Sequence, residues 1–133
     1  FAMIVPNGFS AVTPYIFARE ADGYVRFLRE AFGGEELGRS VAPGGRIANC
    51  PISIDGATLM ISEASADFLP SSAAFNLYVA DAETAMAKAI DAGAAEIMAV
   101  ADMPYGDRQG GVRDPAGNIW WISQRLTDEP YFR

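Results

Sequence analysis

The chain has 133 residues, the length of one ordinary domain, and half of it is apolar. Its 17 acidic and 10 basic residues give a net charge of −7, which argues against nucleic acid binding because clustered cations hold a phosphate backbone. The chain has no histidine, so His-based catalytic triads and His-based metal sites are excluded, and any metal would need oxygen ligands alone.

A single cysteine, Cys50, rules out an intrachain disulfide and favours a reducing cytoplasm. We expect Cys50 to be a buried small side chain, since no histidine is present to activate it. No stretch has the length of a transmembrane helix, and the N-terminus lacks the pattern of a secretory signal, so no membrane partner is expected. Phe1 and Ala2 are interpreted as a cloning remnant before a natural start at Met3.

In chain order, the first half begins with a predicted strand over 12–18. A helix is predicted over about 21–32, because its apolar residues recur at helical spacing and Gly33-Gly34 ends the pattern. Three strand-like runs separated by turn signals follow. They cover residues 36–41, 47–54 and 57–62. The first half therefore has the order βαβββ.

The same order returns in the second half. A strand over 74–80 leads to Asp81, a good N-cap residue, and to a helix over 82–92 that Gly93 ends. Strand-like runs follow at 96–100, 110–113 and 119–124. We predict an N-terminal tail, a first module, a linker, a second module and a C-terminal tail. Their bounds are 1–8, 9–63, 64–73, 74–126 and 127–133.

Side chains alternate between two faces along each predicted strand. One face is aliphatic and suits cover by a helix; the run 47–54 places Ala48, Cys50, Ile52 and Ile54 there. The other face mixes amide, hydroxyl, thioether and aromatic groups and contains no Lys or Glu. In the run 47–54, Ile47 and Asn49 belong to this mixed face. A mixed face of this kind suits a ligand cavity. The alternatives are a partly exposed sheet face and a subunit interface.

Several segments together resemble the vicinal oxygen chelate superfamily, which holds glyoxalase I and the bleomycin-resistance proteins. They are GFSAVTPYIF (8–17), FLREAFGGEELGR (27–39), GRI (45–47), LYVAD (77–81), AGA (92–94) and YGDRQGGVRDPAGNIWW (105–121). The nearer resemblance is to a bacterial branch labelled demethylubiquinone methyltransferase-like. It implies the α+β glyoxalase/bleomycin-resistance fold, with two βαβββ modules in one curved, mixed, eight-stranded sheet and helices on its outer face. It also implies a homodimer.

In the metal-dependent members of that superfamily, four ligands come from matching strand positions, usually His or Gln, Glu, His and Glu. The resemblance places those positions at Thr13, Met60, Ala74 and Trp121. None of these is a suitable ligand for a hard metal, so neither a metal nor a cofactor is expected. All four lie on the mixed face.

The branch often has His where this chain has Asn49, Asn76 and Asn118, which makes these amides candidates for ligand contact. Asn118 has the alternative role of shaping the turn before the last strand. Arg108 would meet an anionic ligand group at the mouth of the site, or would pair locally with Asp107 to shape the loop. The predicted ligand-binding residues are Thr13, Tyr15, Phe17, Asn49, Met60, Asn76, Tyr78, Tyr105, Arg108, Asn118 and Trp121.

Three functions follow from these patterns. The first is binding of a small molecule, as in sequestration of an antibiotic, and an uncharged or cationic ligand with a flat conjugated part is expected. The second is a metal-independent enzyme of the same superfamily acting on a small organic substrate, for which no catalytic residue is assigned. The third is an interaction protein that uses the mixed face for dimerisation. Phe68 and Leu69 in the linker are expected to cap the cavity or meet a partner subunit.

Overall fold

The computed structural model describes residues 4–132, so the predicted start at Met3 and the outer ends of both predicted tails lie outside the described residues. The chain forms two compact units, of which the first ends at Ser71 and the second begins at Ser72. Each unit contains one helix and one mixed sheet. Among the described residues, no helix combines the length and the apolar character needed to cross a membrane.

The first unit carries five strands and one helix. These are β1 (Tyr15–Ala18), α1 (Ala21–Phe32), β2 (Glu35–Glu36), β3 (Ser40–Val41), β4 (Ile47–Ile54) and β5 (Ala57–Glu63). The strand order is β1-β5-β4-β2 with β3 also paired to β4, and only β1 and β5 run parallel. Helix α1 packs on one face of this sheet, where Leu28, Ile52 and Ile61 are fully buried.

Both ends of α1 are satisfied by contacts within the unit. The carboxylate of Glu63 accepts hydrogen bonds from the backbone N–H of Glu20 (2.9 Å) and Ala21 (3.0 Å), which would otherwise lack partners at the first turn. At the other end Gly33 adopts a left-handed conformation (φ 67°), and its N–H donates to the carbonyl of Arg29. Glycine takes that conformation at no steric cost, so the helix ends where the sequence predicts.

The second unit repeats this plan with four strands. They are β6 (Ala74–Tyr78), β7 (Ala95–Asp102), β8 (Asp107–Arg113) and β9 (Ile119–Arg125), with α2 (Ala82–Asp91) after β6. The order is β6-β9-β8-β7, and only β6 and β9 run parallel. Asp81 caps α2 by accepting from the N–H of Thr84 (3.1 Å). The helix approaches β8 closely because Gly110 has no side chain: a Cβ there would lie 2.9 Å from the sulfur of Met86.

The α+β class and the repeated strand–helix–strand order are confirmed, and the strand pairing differs from the prediction. Hydrogen bonds join the described strands into two sheets, of five and four strands, and not into one sheet of eight. In place of one strand over 36–41, two short strands form, β2 (Glu35–Glu36) and β3 (Ser40–Val41), and residues 37–39 separate them. Alternation along a strand indicates which face a side chain occupies, but it carries no information about which edge strands are hydrogen-bonded.

A bulge in β4 reverses one predicted face. Ser40 pairs with Asn49 and Val41 pairs with Ile47, so Ala48 is an extra residue opposite β3. An extra residue shifts the alternation by one. Ile47 is therefore buried and Ala48 exposed, which is the reverse of the faces predicted for these two residues.

Candidate functional site

Each sheet has one face packed on the helix of its own unit and one face without it, which we call the open face. Cross-strand partners share a face, so the pairs Tyr15–Met60 and Phe17–Ser62 place four side chains on the open face of the first sheet. The corresponding pairs in the second sheet are Asn76–Trp121 and Tyr78–Ser123. The register thus makes Met60 equivalent to Trp121 and Ser62 equivalent to Ser123.

A hydrogen-bonded network centred on Ser62 lies on the first open face. The Ser62 hydroxyl donates to the carbonyl of Ala48 (2.7 Å), so the Tyr15 hydroxyl, 2.6 Å away, donates to Ser62. The amide nitrogen of Asn49 donates to the Tyr15 oxygen (3.2 Å). The predicted residues Tyr15 and Asn49 are thus brought together, through a serine that was not among the predicted site residues.

Aromatic rings continue this face into the linker. The rings of Tyr15 and Phe17 lie 5.0 Å apart, and Phe68 stacks on Phe17 at 5.2 Å with an angle of 10° between the planes. Tyr15 is partly exposed and Phe68 is 59% exposed, so the run presents apolar surface to solvent. Thr13, beside it, uses its hydroxyl to donate to the carbonyl of Ser10 (2.9 Å).

A second network, centred on Ser123, lies on the second open face. The Tyr105 hydroxyl donates to the amide oxygen of Gln109, and the amide nitrogen of Gln109 donates to the Ser123 hydroxyl (2.7 Å). Ser123 in turn donates to the amide oxygen of Asn76 (2.8 Å). Gln109 and Ser123 are buried, whereas Asn76 is exposed at the end of the relay.

The C-terminal segment brings Tyr131 over the end of the same face. The carboxylate of Asp107, 1% exposed, accepts from the Arg125 guanidinium (2.8 Å) and from the Tyr131 hydroxyl. Tyr78 donates to the Tyr131 oxygen (2.8 Å), and the guanidinium carbon of Arg125 lies 4.0 Å from the centre of the Tyr131 ring. Tyr131 therefore crosses β9, from β6 to β8. Beside it, Tyr105 and Arg125 help line a cavity of about 260 Å³.

These contacts shift two ionisation equilibria. The hydrogen bond to Asp107, together with that to Tyr78, raises the pKa of the Tyr131 phenol far above its usual range, because a phenolate would face the carboxylate. The hydrogen bond to Asp107 likewise raises the pKa of Arg125. Tyr131 is therefore a neutral hydrogen-bonding group and not a base at physiological pH.

Two predicted site residues lie elsewhere. Arg108 is on the helix-covered face, where it pairs with Asp102 (2.8 Å), so it lies neither at the mouth of the site nor in a pair with Asp107. Neighbouring strand residues point to opposite faces, which separates Arg108 from Asp107. Asn118 is completely buried, and its amide oxygen accepts from the N–H of Ala73 (2.8 Å). The backbone N–H of Asn118 donates to the carboxylate of Asp114 (2.9 Å), and the carbonyl of Asn118 accepts from the N–H of Asp114 (2.8 Å). These two bonds close the turn before β9 and support the turn role for Asn118.

The residues that resemblance places at the metal-ligand positions do not fit a metal. Thr13 offers one hydroxyl, Met60 a thioether, and Ala74 and Trp121 no ligand atom in their side chains. Within residues 4–132, no three cysteine or carboxylate side chains are grouped to hold an ion.

Alternation along the predicted strands puts Ser62 and Ser123 on the mixed face, but neither is among the predicted ligand-binding residues. Sequence reasoning missed Gln109, Arg125 and Tyr131 altogether. For Ser123 and Arg125 a signal existed, since they follow Trp121 at intervals of two along β9 and so share its face. Tyr131 had no such signal, because it lies in an irregular segment whose position depends on Asp107 and Tyr78.

The model of the Glyoxalase/Bleomycin resistance protein/Dioxygenase superfamily matches residues 9–122. The chain belongs to this superfamily. It is 30% identical over 129 residues to the uncharacterized protein Mb0911c of Mycobacterium bovis, covering 89% of this chain and 85% of that protein.

Solved structures with the same fold include TnmS3, an antibiotic-binding protein from Streptomyces sp. CB03234, with a TM-score of 0.68 and 20% identity over 93% of this chain and 99% of that one. The PhnB protein of Bacillus cereus, whose name places it in the 3-demethylubiquinone-9 3-methyltransferase group, is also similar. Its TM-score is 0.64, with 15% identity over 86% of this chain and 99% of that one.

Proposed function

We propose that this protein is a metal-independent binding protein for a small, flat, aromatic molecule that is uncharged or cationic, and that it acts by sequestration. The observation that carries the proposal is the composition of the open faces. Each combines exposed aromatic side chains with a hydrogen-bonded network of hydroxyl and amide groups. Ligand sites typically pair apolar surface with a few polar groups that fix orientation. The same fold in TnmS3, an antibiotic-binding protein, supports this class of function.

The ionisable groups argue for binding over catalysis. Asp107 and Arg125, at the end of the second open face, are bound to each other. The raised pKa of Tyr131 keeps its phenol protonated. General acid–base catalysis needs a group whose pKa lies near the working pH, and neither face supplies a histidine for that task.

We further propose a homodimer in the reducing cytoplasm. Phe68 and Leu69, 59% and 67% exposed, are adjacent apolar side chains that a second copy would cover. Sedimentation should show a dimer at micromolar concentration, and Leu69→Asp should shift it towards monomer. A monomer alone for the unmodified chain would contradict this part of the proposal.

Tryptophan fluorescence tests the binding proposal, because Trp121 lies on the second open face. Acridine, carbazole and the cation proflavine are suitable flat probes, and at least one should quench the emission. Asn76→Leu should then weaken binding by about 1–3 kcal/mol, since it leaves a polar ligand group unpaired. Trp121→Ala, followed by calorimetry, should weaken it as well. Arg108→Gln, on the helix-covered face, is the control and should leave affinity unchanged.

Absence of quenching across such a panel would count against an aromatic ligand. Unchanged affinity in both Asn76→Leu and Trp121→Ala would place the binding site elsewhere on the molecule.

A further inference from the structure

We propose that the second open face selects ligands by hydrogen-bond polarity: it accepts flat molecules that present an acceptor, such as a carbonyl or a ring nitrogen, and disfavours molecules of the same shape that present only a donor. This inference rests on the proposed function. Asn76 is the selecting residue. Gln109 and Ser123 are positioning residues, because they act on the ligand through Asn76.

The direction of the relay fixes what Asn76 presents. The amide oxygen of Gln109 has no hydrogen, so the Tyr105 phenol must donate to it. That leaves the amide nitrogen of Gln109 to donate to Ser123 (2.7 Å). The single hydroxyl hydrogen of Ser123 then goes to the Asn76 oxygen (2.8 Å). Each step determines the next, and every donor points towards Asn76.

Burial prevents water from reversing this order. Ser123 is completely buried and Gln109 is 8% exposed, so their hydrogen-bonding groups depend on one another. Asn76, in contrast, is exposed, and its amide nitrogen has no protein partner in the part of the chain that the structure describes. With its oxygen held by Ser123, Asn76 directs two N–H donors outward. An acceptor on the ligand would pair with them, whereas a donor would meet another donor.

The equivalent network of the first unit ends differently. There Ser62 donates to the main-chain carbonyl of Ala48, so the hydroxyl hydrogen is used inside the sheet. In the second unit the same hydrogen reaches the exposed side chain of Asn76. The two serines have equivalent register positions, and only Ser123 donates directly to a side-chain amide.

Acridine and carbazole test the polarity directly. Both are flat, three-ring aromatics; acridine presents a ring-nitrogen acceptor and carbazole a ring N–H donor. In weakly alkaline buffer, where acridine is uncharged, calorimetry should give about tenfold tighter binding of acridine, the usual effect of one satisfied hydrogen bond against an unpaired group. Ser72→Ala, at an exposed serine outside the strands, is the matched control and should keep this preference.

Ser123→Ala should reduce the preference to about onefold without abolishing binding, because Asn76 is then free to rotate. Gln109→Glu should invert it: Ser123 would donate to the new carboxylate, and Asn76 would turn to donate to Ser123 and present its oxygen. A purely structural role for these residues would weaken both probes alike. If Gln109→Glu does not fold, Ser123→Ala carries the test.

Each result decides between the two proposals. If the unmodified protein binds both probes equally, or if Ser123→Ala keeps the preference, polarity selection is overturned while aromatic binding stands. If acridine, carbazole and proflavine all fail to bind, the proposed function falls, and the selection with it; binding of the proflavine cation alone, which presents only N–H donors, would overturn the selection. NMR of the free protein adds a readout that needs no ligand: the Asn76 side-chain amide protons should exchange fast with water, and protected protons would contradict the outward orientation.

Discussion

The indole of Trp121 lies directly over Gly111, its cross-strand partner on β8. A Cβ placed on Gly111 would be 2.5 Å from Cζ3 and 2.7 Å from Cε3 of that indole. Non-bonded carbon atoms do not approach so closely, so the indole or the strand would have to move. The same Cβ would lie 3.3 Å from Ile97 on β7. The missing side chain is therefore what lets the indole lie across the open face from β9 towards β7.

We expect Gly111→Ala to displace the Trp121 ring and to destabilise the fold by about 1–3 kcal/mol, the usual range for overpacking. Tryptophan emission should shift, and the urea midpoint should fall. Gly38→Ala is the control, because a Cβ at Gly38 would have no neighbour within 4 Å. Unchanged emission and stability in Gly111→Ala would mean that the indole does not depend on this glycine.

The ion pair between Asp107 and Arg125 should matter more than the one between Asp102 and Arg108. Asp107→Asn leaves the Arg125 guanidinium beside a neutral group at a buried position, and we expect a loss of about 2–3 kcal/mol in urea unfolding. Asp102→Asn breaks an exposed pair that solvent screens, so little change is expected. Equal effects of the two substitutions would contradict this ranking.

Cys50 should be protected and should make stability depend on alkaline pH. Burial, with a contribution from Glu36, raises the pKa of its thiol, so the folded chain favours the protonated form. The protonated thiol therefore contributes to the free energy of unfolding. This stabilisation is fully present below the ordinary thiol pKa of about 8.5, and it is lost as the pH rises through the higher pKa of the folded state. The urea midpoint should fall in that alkaline range. The phenol of Tyr131 also has a raised pKa and would add to the alkaline loss of stability. The same pH series on Tyr131→Phe removes the phenol, so the loss that remains there is the one assigned to Cys50.

Ellman's reagent offers a direct check on the same residue. Native protein at neutral pH should react slowly, and the urea-unfolded chain should release its full equivalent of thiol. Fast reaction of the native protein would show that Cys50 is accessible.

Purified protein should contain no stoichiometric zinc, nickel, iron or manganese, and EDTA should leave its melting temperature unchanged. The reason is the chemistry of Thr13, Met60, Ala74 and Trp121, which supply one hydroxyl and one thioether where metal-dependent relatives would need carboxylates and imidazoles. Elemental analysis and thermal unfolding with and without chelator measure this. One equivalent of metal, lost with EDTA together with stability, would contradict it.

Local signals explain where sequence reasoning succeeded. Helix α1 spans Ala21–Phe32 and strand β4 spans Ile47–Ile54, as predicted, because helical periodicity, the αL glycine at 33 and the Asp55-Gly56 turn are all read within a few residues. The open-face positions of Tyr15 and Asn76 likewise follow from alternation alone.

Tertiary contacts explain where it did not succeed. The bulge at Ala48 depends on pairing with β3, which no local pattern encodes. The sequence predicts Arg108 in a loop at the mouth of the site, whereas β8 already begins at Asp107 and places Arg108 on the helix-covered face. The position of Tyr131 at the end of the site depends on contacts to Tyr78 and Asp107, which are distant from it in sequence, and on the nearby Arg125.

Gly110 and Gly111 occupy successive positions of β8, one turned to α2 and the other to Trp121. At this point only bare main chain separates the sulfur of Met86 from the indole. A larger or smaller residue at position 86 would therefore shift the main chain of β8 directly, because Gly110 has no side chain that could change its conformation instead. A substitution at Met86, on the helix side of the sheet, would in this way change the proposed ligand-binding surface on the other side.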